Sequence, residues 1–175
     1  MSSNPLTAPN KAVGKGAGPR AFLRACAQFS TGVAIATVLD AEGAPRGMTI
    51  NSFTSVSLSP PLVLVCIDHK ASIHDHFLQS DFFAISILGE DQQTLSERFA
   101  RPGEDRFGSV EWYAGETRMP LIPGALATFE CAVFQRTQAG DHTILIGEVV
   151  TAVRHDGRPL VFFSSSYRLL ERDRQ

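Results

Sequence analysis

The apolar residues of this chain fall into short runs separated by turn-forming residues, a pattern that is typical of β-strands. Residues 32–39 and a second run that begins at Gly47, joined by the Gly- and Pro-containing segment 40–46, predict an antiparallel hairpin. Because strands and helices do not alternate regularly, the pattern favours a mainly β fold with short helices, arranged as a small antiparallel barrel. The remaining strands are predicted at residues 62–68, 82–88, 125–137, 142–155 and 159–163.

The N-terminal part of the chain divides into an unpatterned segment and a first helix. Residues 1–18 are mostly Ser, Asn, Pro, Ala and Gly and have no apolar periodicity, which predicts a flexible arm. From Pro19 onwards, Phe22, Cys26 and Phe29 recur at spacings of four and three residues and give a helix one apolar face. The folded domain is therefore expected to span residues 19–175.

Two further helices and one long loop are predicted in the middle of the chain. One helix is expected to begin at Ser72 and the other to span residues 91–100. Residues 101–124 are rich in Gly, Pro and charge and contain the single Trp, and long loops of this kind often carry function. Each helix starts with the spacing of a capping box, at Ser72 and Asp75 and at Thr94 and Glu97.

The composition argues against nucleic acid as a partner and favours a location in the cytoplasm. The 175 residues include 16 Lys and Arg against 18 Asp and Glu, so the net charge of −2 offers no basic field for nucleic acid. Three separated cysteines in apolar surroundings, without a C-x-x-C pair, are typical of reduced thiols in the cytoplasm. We expect neither export nor a membrane span, because no apolar run approaches the roughly 20 residues that cross a bilayer.

A polar stretch inside a predicted strand is the strongest sign of a binding site. The sequence GMTINSFTSVSLSPPLVLVC, residues 47–66, carries many hydroxyl and amide side chains where a core strand would be apolar. Each buried hydroxyl needs a hydrogen-bond partner. We therefore expect a polar group to lie against this strand.

The segment that follows Cys66 has two interpretations. The free N–H groups at the start of the helix predicted at Ser72, together with the Lys70 ammonium, would suit a phosphate group. A capped surface helix with a solvated lysine fits the same residues, and spacing alone favours it.

The histidines predict no metal site. His74 and His76 are two residues apart, which on a helix directs them to different sides, and no metal-ligand motif surrounds them. His142 follows a predicted hairpin turn, where it is either an exposed turn residue or a functional one. The chain also lacks a G-x-S-x-G elbow and the dinucleotide fingerprint of a Rossmann fold.

Several motifs together resemble the short-chain flavin reductases of two-component flavin-dependent monooxygenases. The resemblance covers about residues 20–170 and rests on motifs that occur in the family's order and spacing. It implies an FMN-binding split β-barrel, a homodimer with flavin near the subunit interface, and hydride transfer from NADH or NADPH to free FAD or FMN. The motifs are GMTINSFTSVSLSPPLVLVC, FFAISIL at 82–88, RFA at 98–100, DRF at 105–107, GDHTILIGEV at 140–149, and residues 159–163 with YRL at 167–169.

The resemblance also implies roles for particular residues. A strand of five residues would hydrogen-bond the isoalloxazine edge of the flavin, and it consists of Met48, Thr49, Ile50, Asn51 and Ser52. Cys66, Ile67 and Asp68 would follow the ribityl chain, and Lys70 and Ser72 would hold the phosphate, which reverses the preference for a plain surface helix. Phe99 would lie near the flavin. The nicotinamide pocket would be shaped by His142, Tyr167 and Arg106, with His142 as the catalytic candidate.

The implied mechanism is one of positioning. The protein would hold the flavin against the nicotinamide while the cofactors carry the hydride, and a separate monooxygenase would receive the reduced flavin. Two features depart from the family, namely Ile50, where a smaller residue is usual, and residues 164–166, which are three serines. A split-barrel fold could instead carry a non-catalytic flavin or heme binder, or a flavin-dependent oxidase.

Overall fold

A computed structural model describes residues 16–103 and 105–171 of the chain, so residues 1–15 of the predicted arm lie outside the described residues. Three α-helices occur, α1 Pro19–Cys26, α2 His74–Gln79 and α3 Gln93–Ala100, and a 3-10 helix at Glu90–Gln92 precedes the last of them. The strands are β1 Thr31–Gly32, β2 Ala34–Leu39, β3 Pro45–Ile50, β4 Thr54–Leu58, β5 Pro61–Asp68, β6 Phe82–Ile87, β7 Tyr113–Ala114, β8 Pro120–Leu121, β9 Ala127–Ala139, β10 His142–Arg154, β11 Val161–Phe163 and β12 Ser166–Arg168.

One antiparallel sheet of seven strands dominates the structure, in the order β3-β2-β6-β9-β10-β5-β4. The predicted hairpin is confirmed as β2 and β3, which pair from Ala34 opposite Ile50 to Leu39 opposite Pro45. The two long strands β9 and β10 are also confirmed, and Gly140 takes a left-handed φ of 64° in the turn between them. The mainly β class with few, short helices is therefore confirmed.

The predicted small barrel is not closed by strand pairing. Within the described residues no ladder joins β3 to β4, and both strands are edges of the seven-stranded sheet. The polar run that was expected to form one strand is interrupted at residues 51–53. Strand β4 follows the interruption, and the chain then reverses so that β5 pairs with β4. The side chain of Ser52 bridges part of the gap, because its Oγ accepts a hydrogen bond from the Cys66 N–H at 2.9 Å.

Two apolar clusters hold the sheet and its helices together. One lies among the sheet strands and α2, and its fully buried members include Val65, Phe77 and Phe83. The other packs α3 and the segment after it against the sheet, with Phe99 and Phe107 in edge-to-face contact at 4.9 Å. The second cluster matters for function because it fixes α3 beneath β3.

Both predicted capping boxes are wrong. Helix α2 begins at His74 rather than Ser72, and its N-cap residue is Ile73, which has no side chain that could accept a hydrogen bond. Helix α3 is preceded by the 3-10 helix, and its N-cap is Gln92 and not Thr94. The Gln92 Oε1 atom instead accepts a hydrogen bond from the Gly89 N–H at 3.0 Å.

Other differences concern elements too short for a sequence pattern. Strands β1 and β12, of two and three residues, pair with β11 in a small separate sheet. The segment 101–124 that was predicted as a loop contains the β7–β8 hairpin. Among the described helices none is long and apolar enough to cross a membrane.

Candidate functional site

Three cavities follow strand β3 along the edge of the sheet. The Gly47 cavity, of about 360 Å³, lies at the start of the strand, and the Thr31 and Tyr167 cavities, of about 250 Å³ each, lie at its end. The last two share Val33, Ile50 and Asn51. Because β3 pairs only with β2, the opposite edge of its backbone faces away from the sheet and is open to other partners.

The Gly47 cavity contains cationic groups close to the backbone of β3. Its lining includes Arg46, Ser72, His76, Asp105 and Arg106. Arg46 is neutralised by an ion pair with Asp40 at 2.8 Å. No salt bridge within the described residues involves Arg106, and burial lowers the pKa of its guanidinium. A half-buried cation of this kind favours an anionic ligand.

Arg106 also fixes one end of the β3 edge. Its Nη1 donates to the Gly47 carbonyl oxygen at 2.6 Å, and its Nε donates to the Arg101 carbonyl oxygen at 2.9 Å. Sequence reasoning grouped Arg106 with Tyr167, but Arg106 lines the cavity of Ser72, and Tyr167 lines another. Arg106 therefore belongs with the residues expected around the phosphate.

The Tyr167 cavity combines an aromatic wall with two fixed hydroxyl groups. Its lining includes Thr49, Asn51, Phe162 and Tyr167. The Tyr167 ring packs edge-on against Phe162 with 5.4 Å between ring centroids. Ser96 lies behind both polar side chains, since its Oγ is 2.8 Å from the Tyr167 hydroxyl and its carbonyl oxygen accepts from the Thr49 hydroxyl at 2.6 Å.

The Thr31 cavity is lined mainly by apolar side chains. Phe29, Ile50, Phe53 and Ile87 contribute to its walls, and Asn51 lies at its border with the Tyr167 cavity. A mainly apolar cavity with a few polar groups in its lining suits a heteroaromatic ring.

The three residues of β5 that were expected along the ribityl chain differ in how far their side chains are exposed. Cys66 and Asp68 are half-buried, and burial raises the pKa of the Cys66 thiol. The Ile67 side chain is only 1% exposed and belongs to the sheet core, and its predicted place along the ribityl chain stays a prediction. Alternation along a strand causes this difference in exposure, because neighbours of an accessible residue point to the opposite face.

Phe99 likewise belongs to the apolar core. It is fully buried in the cluster beneath β3. A Cβ atom added to Gly47 would lie 2.9 Å from the Phe99 ring, which shows how closely the ring supports the strand. Phe99 therefore supports the β3 backbone from beneath, and its predicted place near the flavin stays a prediction.

The remaining strand residues divide between the cavities and the core. Met48 is half-buried and packs against the sheet core, and Ile50 is buried at the shared wall of the two small cavities. Asn51 is exposed. Ser52 has its hydroxyl engaged with the Cys66 backbone.

His142 lies at the Asp68 end of β5 and lines none of the three cavities. It is opposite Asp68 in the β5–β10 ladder, and its Nδ1 is 2.7 Å from the Asp141 carboxylate. The hydrogen bond from His142 lowers the pKa of Asp141. Lys70, two residues after Asp68, is exposed, and its backbone N–H donates to the Asp68 carboxylate. His142 does not line the Tyr167 cavity.

The other histidines serve different purposes. His74 is buried, and its Nε2 is 3.0 Å from the Thr143 hydroxyl, so it links α2 to β10. His76 lines the Gly47 cavity. Within residues 16–103 and 105–171 no three His, Cys, Asp or Glu side chains are grouped as metal ligands.

Sequence reasoning missed Arg46 and Ser96. Arg46 lies in what was predicted to be a turn, and only the fold brings it to the Gly47 cavity. Ser96 gave a weak signal, since it is a hydroxyl residue beside Leu95 on a helix with an apolar face.

Comparison with known proteins identifies the family. The profile of the flavin reductase like domain matches residues 26–171. An FMN reductase (NADH) of Agrobacterium fabrum is 45% identical over 152 residues, which cover 87% of this chain and 86% of the relative. The reductase component of a flavin-dependent trigonelline monooxygenase of Acinetobacter baylyi is 47% identical over 121 residues, 69% of this chain and 39% of the relative.

A solved structure agrees with these relatives. An NADH:FAD oxidoreductase of Streptomyces globisporus, solved in complex with NAD and FAD fragments, superposes with a TM-score of 0.84 at 41% identity. The superposition covers 90% of this chain and 96% of that one. From the matched profile, the identities and the shared fold, the chain belongs to the flavin reductase like domain family.

Proposed function

We propose that this protein is an NAD(P)H:flavin oxidoreductase that reduces free FAD or FMN and supplies the reduced flavin to a separate monooxygenase. The observation that carries the proposal is the pair of cavities that meet at Val33, Ile50 and Asn51 beside the free edge of β3. Two adjoining cavities suit two rings that must touch. The names of the relatives, an NADH-dependent FMN reductase and a monooxygenase reductase component, support the same reaction.

The Thr31 cavity would take the isoalloxazine ring and the Tyr167 cavity the nicotinamide. The Asn51 side chain and the exposed edge of the β3 backbone, around Thr49, offer hydrogen bonds to the polar rim of the flavin. When both are bound, the nicotinamide supplies a hydride to the flavin ring. The protein itself orients the rings and excludes water from between them, and no side-chain acid or base is required.

The Gly47 cavity would hold the phosphate of the flavin. Ser72 offers a hydroxyl and Arg106 a half-buried cation that makes no salt bridge with the residues the structure describes, and both line this cavity. Lys70, exposed two residues before Ser72, would add a second positive charge. Cys66 and Asp68 on β5 lie between the phosphate residues and β3 in the chain and would follow the ribityl group.

His142 would act at the nicotinamide side of a complete site. In one protomer it lies apart from the Tyr167 cavity, at the Asp68 end of β5. A homodimer with a site at its interface would bring a second surface to each cavity, so His142 would then approach from a partner copy. The same assembly would cover the open side of the split barrel that the resemblance implies for each protomer.

Exposed apolar side chains support the homodimer. Phe22 and Leu23 on α1 and Phe29 after it are 59%, 64% and 77% exposed, and no residue of α1 is buried. A helix with an apolar face and no buried residue favours a missing partner surface. Phe29 also lines the Thr31 cavity, so a partner that covers α1 would adjoin the flavin ring.

Turnover with free flavin tests the function. Purified protein is mixed with an excess of FAD or FMN and NADH or NADPH, and nicotinamide absorbance is followed in air. Many turnovers per protein molecule are expected, because released reduced flavin is reoxidised by oxygen and returns as substrate. A single turnover per protein would contradict the proposal and would instead fit a flavin-binding protein.

Riboflavin tests the phosphate position. Ser72→Ala and Lys70→Ala are expected to weaken FMN binding and leave riboflavin binding unchanged, since only FMN carries the phosphate. Ser57→Ala on β4 is a matched control, because this hydroxyl bonds only the neighbouring Ser59 N–H. Equal losses with both flavins would place the phosphate elsewhere.

A further inference from the structure

Ser96 contacts two residues of the proposed nicotinamide pocket, Tyr167 through its buried hydroxyl and Thr49 through its main-chain carbonyl. Ser96 is fully buried on α3 and is not itself part of the cavity lining. Its Oγ is 2.8 Å from the Tyr167 hydroxyl, across 71 positions of sequence. Its main-chain carbonyl accepts from the Thr49 hydroxyl at 2.6 Å, across 47 positions. One residue of the helix therefore holds groups from two different strands, β3 and β12.

The other contacts of Tyr167 show what the Ser96 hydroxyl contributes. Tyr167 lies on β12, a strand of three residues with one pairing partner, and its ring otherwise rests on Phe162. Without Ser96 the phenol would have an aromatic contact but no polar anchor. If the Tyr167 side chain were ordered only when the nicotinamide binds, the loss of its conformational entropy would weaken binding. A side chain that is already held in place avoids this cost.

The apolar surroundings strengthen the link. Phe99, one turn along α3, and Leu88 and Leu160 are all fully buried in the same cluster. In such an environment a hydroxyl without a partner is costly, so the Ser96 and Tyr167 oxygens are held to each other. Helix α3 is in turn packed on β3.

We propose that Ser96 is a positioning residue of the reductase, whose hydroxyl sets the orientation of Tyr167 toward the nicotinamide without contacting it. This inference rests on the proposed function, in which the Tyr167 cavity receives the nicotinamide. Helix α3 is then the fixed support of the NAD(P)H pocket.

A double-mutant cycle tests the proposal. Ser96→Ala, Tyr167→Phe and the double variant are compared for the KM of NADH, kcat, and the flavin Kd obtained by titration. Each single variant is expected to raise the KM of NADH by about three- to ten-fold, the value of one hydrogen bond, with flavin Kd unchanged. The double variant should be no worse than either single one, because both substitutions remove the same bond.

Ser86→Ala is the matched control. Ser86 is equally buried, and its Oγ accepts from the Ile122 N–H at 3.1 Å on a part of β6 outside the cavities. Its variant is expected to lower the thermal midpoint without a change in the KM of NADH. If Ser96→Ala fails to fold, Tyr167→Phe removes the same hydrogen bond from the half-exposed side.

The outcomes separate this inference from the function on which it rests. A Ser96→Ala variant that behaves like Ser86→Ala, or a double variant whose KM increase is the product of the single increases, overturns the role of Ser96. A wild-type protein without multiple turnover contradicts the reductase function itself. A Tyr167→Phe variant with the wild-type KM shows that Tyr167 does not take part, and the inference falls with it.

Discussion

The hydroxyl of Thr31 is a buried polar atom without a hydrogen-bond partner among the described residues. Such an atom costs about 1–3 kcal/mol relative to its solvated state, and an apolar group of the same shape removes the cost. We expect Thr31→Val to raise the free energy of unfolding by about 1 kcal/mol, measured by denaturant titration of the flavin-free protein.

Thr37, unlike Thr31, has a hydroxyl with a hydrogen-bond partner. It is equally enclosed on β2, but its hydroxyl donates to the Pro120 carbonyl oxygen at 2.5 Å. Thr37→Val should therefore lower the free energy of unfolding by about 1–2 kcal/mol, because the carbonyl loses its partner. If both variants shift stability in the same direction, the hydroxyl of Thr31 has a partner after all.

At the scale of single residues the sequence predicts chemistry better than orientation. The polar character of residues 47–52 correctly indicated the strand beside the cavities, because hydroxyl and amide groups in a strand need partners. It did not show that the Ser52 hydroxyl is used by the Cys66 backbone, or that Ile67 and Phe99 face the core. Those outcomes depend on which face of the sheet each side chain takes, and this is fixed by packing between distant elements.

The turn between β2 and β3 is held by one carboxylate. Asp40 accepts hydrogen bonds from the Ala44 N–H at 2.7 Å and from the Arg46 guanidinium at 2.8 Å. Burial by itself would raise the pKa of Asp40, but the hydrogen bonds from Ala44 and Arg46 and the charge of Arg46 together lower it. The hairpin that carries β3 is thus tied to the ionised form of Asp40.

A dependence of stability on pH follows from this element. Because the pKa of Asp40 is lower in the folded protein than the unfolded value of about 3.9, its contribution is present above that pH and is lost as pH falls through the folded pKa. We expect Asp40→Asn to be less stable than wild type at pH 7 and to lose less stability between pH 5 and 2. Thermal midpoints across that range measure it.

Glu42→Gln is a suitable comparison for the Asp40 variant. Glu42 is exposed in the same turn, and among the described contacts its side chain makes no salt bridge. Its variant should keep the wild-type loss of stability in acid. A parallel pH profile for Asp40→Asn and wild type would mean that the carboxylate is not coupled to folding.

Among the elements, length decided what could be predicted. The strands of six or more residues show clear alternation or an apolar run, and their predicted positions agree with the structure, whereas the five-residue β4 was not predicted as a separate strand. Strands β1, β7, β8 and β12 contain only two or three residues, too few for any period. The start of α2 was misplaced because a capping sequence is not itself a cap, and here the chain reaches helical geometry only after Ser72.

For the whole molecule, the exposed apolar side chains lead to a prediction about assembly. If α1 and Phe29 meet a second copy next to the Thr31 cavity, the protein should be a dimer in solution and dilution should separate its subunits. Flavin affinity should fall over the same range of protein concentration. Light scattering with flavin fluorescence, read across a dilution series, measures both quantities.

The substitution Leu23→Glu is an independent way to dissociate the expected dimer into monomers. Leu23 is 64% exposed on α1 and lines none of the three cavities along β3. The variant should fold, dissociate at higher protein concentration than wild type, and bind flavin less tightly at a given concentration. A monomer of the wild-type protein with full specific activity would contradict the placement of the site at an interface.

The order of strands in the main sheet was beyond the reach of sequence reasoning. Antiparallel strands adjacent in the chain were paired correctly, as in β2–β3 and β9–β10. The ladders between β5 and β10 and between β6 and β9 join segments far apart in sequence, and single-sequence periodicity contains no information about such pairing. The predicted small antiparallel barrel could not be tested against strand order in this way, and β3 and β4 are edges of the sheet.

The sheet order has a consequence for synthesis of the chain. The β4–β5 hairpin is joined to the other strands of the sheet only through β10, which pairs Asp68 of β5 with a residue about 74 positions later. A ribosome must therefore translate most of the domain before this hairpin finds its neighbour. Until then the edge of β5 that pairs with β10 has no partner strand, and a chaperone or a second nascent chain can bind it.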